Sequence, residues 1–324
     1  MSPLLPRIVF LDAATYGDVS LRRFTDRWKR TIHEVTSAGE LCQRLSGHSV
    51  VVTNKVAIDR AVLHALEARD LKLIAVAATG TDIIDREAAK TLGVKVCNVP
   101  GYAAQSVAQF TMALILELAT QVGRYRQAVN AGAWQRSRVF ALLDFPAIEL
   151  REKKLGVIGY GHIGRAVAEM ARAFGMEILV AARPGSEATQ SGDRISVEQL
   201  LREADIVTLH CPLTPETKNL INEQSLSWMK PTAFLINTAR GALIDEAALV
   251  KALRAKKLAA AALDVISREP PPPDHPIIEA AKDLDNLLVT PHTAWSARES
   301  RERLLMEVAE NISSFFEGKP RNLV

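Results

Sequence analysis

The stretch Leu155-Gly156-Val157-Ile158-Gly159-Tyr160-Gly161-His162-Ile163-Gly164-Arg165-Ala166-Val167-Ala168 sets a short apolar run against three spaced glycines and then an amphipathic helical pattern. A G-x-G-x-x-G string alone is a weak signal. Between a strand and a helix it acquires the context of a dinucleotide fingerprint. Gly159 permits the tight turn, Gly161 lets the backbone approach a pyrophosphate, and Gly164 lets helix and strand pack closely. The helix N-terminus then offers N–H groups and a partial positive charge to phosphate. The bland alternative is a purely structural glycine turn, which the flanking strand and helix disfavour.

Outward from that stretch the chain alternates apolar β-type runs with helical patterns. After it, strands are expected over residues 178–181, 206–210, 233–237, 260–263 and 287–290, with a last helix over 296–317. Before it, strands are expected over 8–11, 50–53, 73–76 and 94–97, with helices over 60–67 and 85–92. Gly93 stands where a helix C-terminal cap belongs. Strand, helix, strand in this rhythm means parallel sheets with crossover helices. With 324 residues there is chain for two such domains. The fold class expected is α/β, with two doubly wound parallel-sheet domains.

Pro100-Gly101 breaks the first series, and one long helix is expected over 105–131. The following stretch, 132–152, is irregular yet carries Trp134, Phe140 and Phe145. Apolar loops of this kind need a cover, either the chain's own second domain or a subunit partner.

Composition removes several classes of function. The net charge is only +3, and Lys and Arg are scattered, which gives nucleic-acid binding little support. Three cysteines, Cys42, Cys97 and Cys211, match no metal motif and no disulfide framework. The opening MSPLLPRIVFLD lacks the features of a signal peptide. The best apolar run, 112–119, is broken by Glu117 and falls far short of the ~20 residues of a membrane helix. A cytoplasmic protein without a metal is expected.

The second strand of the glycine-loop domain ends at Ala182, followed by Arg183, Pro184, Gly185 and Ser186. A carboxylate here would bind the adenosine ribose hydroxyls and repel a 2′-phosphate. None is present, and Arg183 with Ser186 can hold that phosphate. NADP(H) is therefore expected over NAD(H), although Arg183 stacked on adenine would imply no preference.

Three polar residues follow the ends of apolar runs: Arg240 after Leu235-Ile236-Asn237, Glu269 after Ala262-Leu263, and His292 after Leu288-Val289. In open α/β sheets ligands bind beyond the carboxyl ends of strands. A 2-keto acid presents a carboxylate and a ketone oxygen, and an Arg fork can hold both. Hydride delivery to the ketone carbon leaves charge on oxygen, which an acid must protonate; His serves in either direction. A carboxylate partner orients the ring and favours its protonated form. His292 is read as acid and base, Glu269 as its partner and Arg240 as the substrate anchor. Taken singly, each is more often structural: a salt bridge, a loop residue, a satisfied bystander.

The glycine loop, His210-Cys211-Pro212-Leu213-Thr214, Asn237-Thr238-Ala239-Arg240-Gly241, Ala262-Leu263-Asp264-Val265 and Pro291-His292 occur in order along nearly the whole chain. Together they resemble the D-isomer-specific 2-hydroxyacid dehydrogenases. Ala77-Ala78-Thr79-Gly80-Thr81, Asn98-Val99-Pro100-Gly101-Tyr102, Leu143-Asp144-Phe145-Pro146 and Pro291-His292-Thr293-Ala294-Trp295 resemble the glycerate dehydrogenase, or hydroxypyruvate reductase, branch. The resemblance implies the same roles for Arg240, Glu269 and His292, and substrate carboxylate binding by the backbone at Thr79 and Gly80. It implies cofactor contacts at His162, Ile163, Cys211, Pro212, Thr217, Thr238, Ala239 and Asp264, with Asp264 near the nicotinamide amide. It also brings Thr111 towards the cofactor, but helix packing is the preferred reading of that residue.

The resemblance further implies a Rossmann cofactor domain, 102–291, inserted into a flavodoxin-like substrate domain made of 1–101 and 292–324, with the active site in the cleft. It implies a homodimer built through the helix and arm of 102–152. Ala182 departs from the family's usual Asp or Glu, and Asp82-Ile83-Ile84 from a usual Asn-rich stretch; the first unsettles cofactor choice, the second substrate preference. Hydroxypyruvate or glyoxylate reduction is expected, with another 2-hydroxy acid or a cofactor-sensing corepressor-like protein as alternatives.

Overall fold

The computed structural model describes residues 6–24, 28–66, 70–183 and 194–324. The chain forms two compact units, Met1–Ala103 with Ser296–Val324, and Ala104–Trp295.

In the first unit, five strands form one parallel sheet: β1 (Arg7–Phe10), β2 (Lys29–Ile32), β3 (Val50–Thr53), β4 (Leu73–Val76) and β5 (Lys95–Cys97). Their order, β2-β1-β3-β4-β5, is the flavodoxin-like one. Strands β3 and β4 are buried along their whole length, as central strands covered on both faces must be. Helices α1 (Leu41–Leu45), α2 (Arg60–Ala65) and α3 (Arg86–Thr91) connect the strands. Asp59 and Asp85 cap α2 and α3 by accepting N–H groups of Val62 and Ala88. β2 was not expected: with Lys29, Arg30 and Thr31 on a largely exposed edge, it lacks the apolar run that announces a strand.

The second unit opens with α4 (Ala104–Thr120) and α5 (Val122–Asn130). The single helix expected over 105–131 is thus two. Gln121 takes a left-handed conformation, φ 56°, and ends the first. The Glu117 carboxylate accepts the N–H of Gly123 at 2.9 Å and so tends the start of the second. A seven-stranded, all-parallel sheet follows: β6 (Lys154–Ile158), β7 (Glu177–Ala181), β8 (Arg194–Ile195), β9 (Ile206–Leu209), β10 (Phe234–Asn237), β11 (Ala260–Leu263) and β12 (Leu287–Val289). Its order, β12-β11-β10-β9-β6-β7-β8, reverses direction between β6 and β9, the switch point of a Rossmann sheet.

Between strands run α6 (His162–Ala173), α7 (Val197–Glu203), α8 (Glu223–Trp228), α9 (Glu246–Arg254) and α10 (Pro276–Asp283). Strand alternation sorts the core into two layers. Leu155, Val157, Phe234, Ile236 and Ala262 pack with Met112 and Ile115 of α4 and Val167 of α6 on one face. Ile158, Val207, Leu209, Leu235 and Leu263 pack with Leu200, Leu226 and Leu249 on the other. Truncating one of these leucines to Ala costs roughly 2–5 kcal/mol.

The final helix, α11 (Arg298–Phe316), returns to the first unit. Asn311 Nδ2 donates to the carbonyl of Asn98 at 2.9 Å, and the N–H of Asn98 donates to Asn322 O at 3.1 Å. Residues 292–295, by contrast, stay with the second unit, where the sequence division had given them to the first. The reason is Asp264: its carboxylate accepts the N–H groups of Thr293 and Ala294 at 2.9 and 2.8 Å.

Candidate active site

Asn237, Leu263 and Val289 end three adjoining strands, and they are register partners. The loops that leave them therefore start at one level, side by side. Arg240, Glu269 and His292 lie on these three loops, so parallel pairing brings together residues far apart in the chain. The turn carrying Arg240 is tied by Asn237, whose Nδ2 donates to Arg240 O at 2.8 Å and whose Oδ1 accepts Ala239 N at 3.0 Å. Arg240 Nη1 donates to Ala239 O at 2.8 Å.

His292 Nδ1 and Glu269 Oε2 share a hydrogen bond of 2.5 Å. Glu269 Oε1 accepts the N–H of Ile266 at 2.9 Å, which fixes the carboxylate in turn. His292 Nε2 has no partner among the described residues. The backbone of His292 is left-handed, φ 54°, a conformation that costs about 1 kcal/mol outside glycine. Its N–H holds it there by donating to Asp264 O at 2.8 Å and Thr290 O at 3.0 Å. An oriented imidazole with one nitrogen committed to a carboxylate and the other open is equipped to give or take a proton.

Gly241, which the sequence reading passed over, is what lets two of these loops meet. A Cβ there would lie 1.9 Å from the backbone carbon of Ile266 and 2.2 Å from its oxygen.

Beside the sheet's switch point lies a cavity of about 620 Å³. Of the residues expected at the cofactor, Gly159, Gly161, Ala182, Arg183, Cys211, Pro212 and Thr217 line it. A Cβ on Gly159 would strike Cys211 N at 2.3 Å, and one on Gly164 would strike Gly159 O at 2.2 Å. A Cβ on Gly161 would meet nothing within 4 Å, so the backbone there faces open space. Helix α6 starts at that point with Gly161 as its N-cap and no side-chain cap. A backbone cradle with uncapped helical N–H groups fits the pyrophosphate of a nicotinamide dinucleotide.

Other expected residues stand elsewhere. His162, Ile163, Gly164, Thr238, Ala239 and Asp264 do not line the cavity. Thr238 is buried, with its hydroxyl 3.1 Å from that of Thr111. Asp264, 1% exposed, also accepts the Thr290 hydroxyl at 2.6 Å, so its carboxylate organises the His292 loop. Thr217 holds the turn after β9, its hydroxyl donating to Pro212 O and accepting Thr214 N, both at 2.7 Å. Ser186 lies outside the described residues.

The lining also includes Tyr160, Arg165, Arg194, His210, Thr214 and Glu216, none of them expected. Tyr160 and Arg165 sit within the glycine string and His210 directly before Cys211, so position was their only signal. Burial pushes the His210 imidazole down to about 3, leaving it neutral, with Nε2 2.9 Å from the Thr208 hydroxyl. The Cys211 and Cys97 thiols are pushed up by burial to about 11 and about 12, which makes them unreactive. Among the described residues no group of three or more His, Cys, Asp or Glu is set to hold a metal, and no helix is long and apolar enough to cross a membrane.

Residues 112–294 match the family described as "D-isomer specific 2-hydroxyacid dehydrogenase, NAD binding domain". The chain is 39% identical over 319 residues to a glycerate dehydrogenase of Methylorubrum extorquens, covering 98% of both sequences. It is 44% identical over 263 residues to a glyoxylate reductase of Aeropyrum pernix, covering 80% of this chain and 77% of the other. Among solved structures, an NADPH-dependent glyoxylate/hydroxypyruvate reductase from Sinorhizobium meliloti, in complex with NADP and malonate, superposes with a TM-score of 0.83 at 26% identity, covering 98% of this chain and 96% of that one.

Proposed function

The chain belongs to the D-isomer specific 2-hydroxyacid dehydrogenase family, and from that premise we propose that it reduces hydroxypyruvate or glyoxylate, with NADPH favoured over NADH. In reverse it oxidises D-glycerate or glycolate. It is an NAD(P)-dependent oxidoreductase.

The observation that carries the reading is the 2.5 Å bond between His292 Nδ1 and the Glu269 carboxylate at the carboxyl end of the sheet. A nicotinamide dinucleotide held by its pyrophosphate at the glycine cradle would supply or accept the hydride. Arg240 anchors the substrate carboxylate through its planar fork of donors. His292, protonated, gives its Nε2 proton to the ketone oxygen as charge builds there; neutral, it takes the hydroxyl proton in the opposite direction. Glu269 keeps the ring oriented and stabilises it while charged. In the first unit, the turn at Thr79 and Gly80 is the proposed backbone contact of the substrate carboxylate. Thr79 is itself held there, its hydroxyl donating to Val99 O at 3.0 Å.

The preference for NADP(H) rests on Ala182, which offers no carboxylate against a 2′-phosphate, and on Arg183 beside it. A homodimer through the arm is supported by Val139, Phe140 and Leu143, which are 62, 92 and 81% exposed. So concentrated an apolar surface calls for a partner subunit.

The test is oxidation of the reduced cofactor, followed by absorbance, against a panel of 2-keto acids with NADPH and NADH at equal concentration. The highest kcat/KM is expected with hydroxypyruvate or glyoxylate and NADPH. Activity confined to other keto acids overturns the substrate, and a clear NADH preference overturns the cofactor reading.

A further inference from the structure

We infer that Arg194 is a second determinant of cofactor choice, its guanidinium joining that of Arg183 in binding a phosphate on the adenosine ribose. The inference rests on the proposed preference for NADP(H).

Strand β8 is two residues long and forms the edge of the sheet. It pairs in parallel with β7, Val180 opposite Arg194 and Ala181 opposite Ile195. Paired residues in a parallel ladder point to the same face, and so does the residue two further along a strand. Arg194 therefore shares a face with Val180 and with Ala182, the position whose missing carboxylate opens the site. The N–H of Ala182 donates to Ile195 O at 2.8 Å, which continues this alignment past the end of β7.

The charges on the cavity wall agree with an anionic ligand at that end. Among the described residues that line it, Arg165, Arg183 and Arg194 stand against one carboxylate, Glu216, and His210 is neutral. Arg194 is half-buried and has no ion-pair partner among the described residues. A phosphate brought to this wall would give the half-buried guanidinium a counter-charge. Phosphate suits it, because the planar fork bonds two of its oxygens at once. The competing explanation is that an edge-strand charge serves only to prevent pairing with other sheets. That explanation predicts no effect of Arg194 on ligand affinity.

The two are separated by titration calorimetry with adenosine 2′,5′-bisphosphate and with adenosine 5′-monophosphate. The proteins are the wild type, Arg194→Gln, Arg194→Lys and Arg183→Gln. We expect the wild type to bind the bisphosphate more tightly. Arg194→Gln should weaken the bisphosphate about tenfold or more while leaving the monophosphate within about twofold. Arg194→Lys, which keeps the charge without the fork, should fall between, and is the variant to read if the Gln form does not fold. A wild-type preference for the bisphosphate that both Arg194 variants retain overturns the inference and leaves the cofactor reading standing, as does an equal loss for both ligands. A wild type that does not discriminate overturns the reading, and the inference falls with it.

Discussion

The backbone N–H of His292 donates to the carbonyl of Asp264 at 2.8 Å, while the Asp264 carboxylate takes Thr290, Thr293 and Ala294. One buried side chain thus pins the loop on both sides of the proposed acid. Asn in its place would offer one acceptor where three donors converge and would set an N–H against an N–H. Asp264→Asn is expected to lose roughly 2–3 kcal/mol of stability by denaturant titration. Its kcat should fall with little change in cofactor Kd. A loss confined to cofactor affinity would instead return Asp264 to a contact of the nicotinamide amide.

The proposed acid itself is tested by His292→Ala. With Nε2 gone, kcat should fall about 10²–10⁴-fold while cofactor affinity holds. Glu269→Gln keeps a hydrogen-bonding side chain but removes the charge that stabilises protonated His292, so its loss should be smaller. Steady-state kinetics decide: turnover that survives in His292→Ala removes the role, and a larger loss in Glu269→Gln inverts the order of the pair.

The anchor makes a different demand. Arg240→Lys keeps a positive charge but loses the fork, so both substrate KM and kcat should worsen. If only KM changes, Arg240 binds ground state and transition state alike and takes no special part in the reaction.

What the sequence made legible was local. Leu155–Ala168 reads as strand, turn and helix because its pattern is contiguous, and β10 to β12 read as apolar runs with polar residues beyond them. β2 and β8 were not legible. Lys29–Ile32 is an edge strand with few apolar side chains, and Arg194–Ile195 is too short to show alternation, so Arg194 carried no signal. The break falls at Gln121 itself, a residue with no turn preference, and Gly123 two positions on reads as a tolerated helix glycine. The clamp at Asp264 spans 26 to 30 residues and exists only once β11 and β12 are paired.

Gly241 shows the same limit and offers a sharp test. In the sequence it follows Arg240 as an ordinary loop glycine; in the fold its Cα faces the backbone of Ile266 with no room for a methyl group. Gly241→Ala must push apart the loops that carry Arg240 and Glu269. A stability loss of about 3 kcal/mol or more is expected. Turnover in the folded fraction should fall on the order of a hundredfold, because small displacements of reacting groups are costly. Wild-type kinetics and melting in this variant would mean that the approach is looser than described.

His210 gives a pH test. Burial holds its folded-state value at about 3, below the ordinary 6.5. The unfolded chain therefore takes up a proton that the folded chain refuses. The contribution is complete above pH 6.5 and is lost as pH falls from there towards 3. Between about pH 7 and pH 5 the wild type should lose on the order of 2 kcal/mol more stability than His210→Gln, which has nothing to titrate. Denaturant titrations of both proteins at the two pH values measure that difference directly. Equal losses would mean that the imidazole accepts its proton in the folded state, and that the wall of the cavity beside Cys211 gains positive charge in acid.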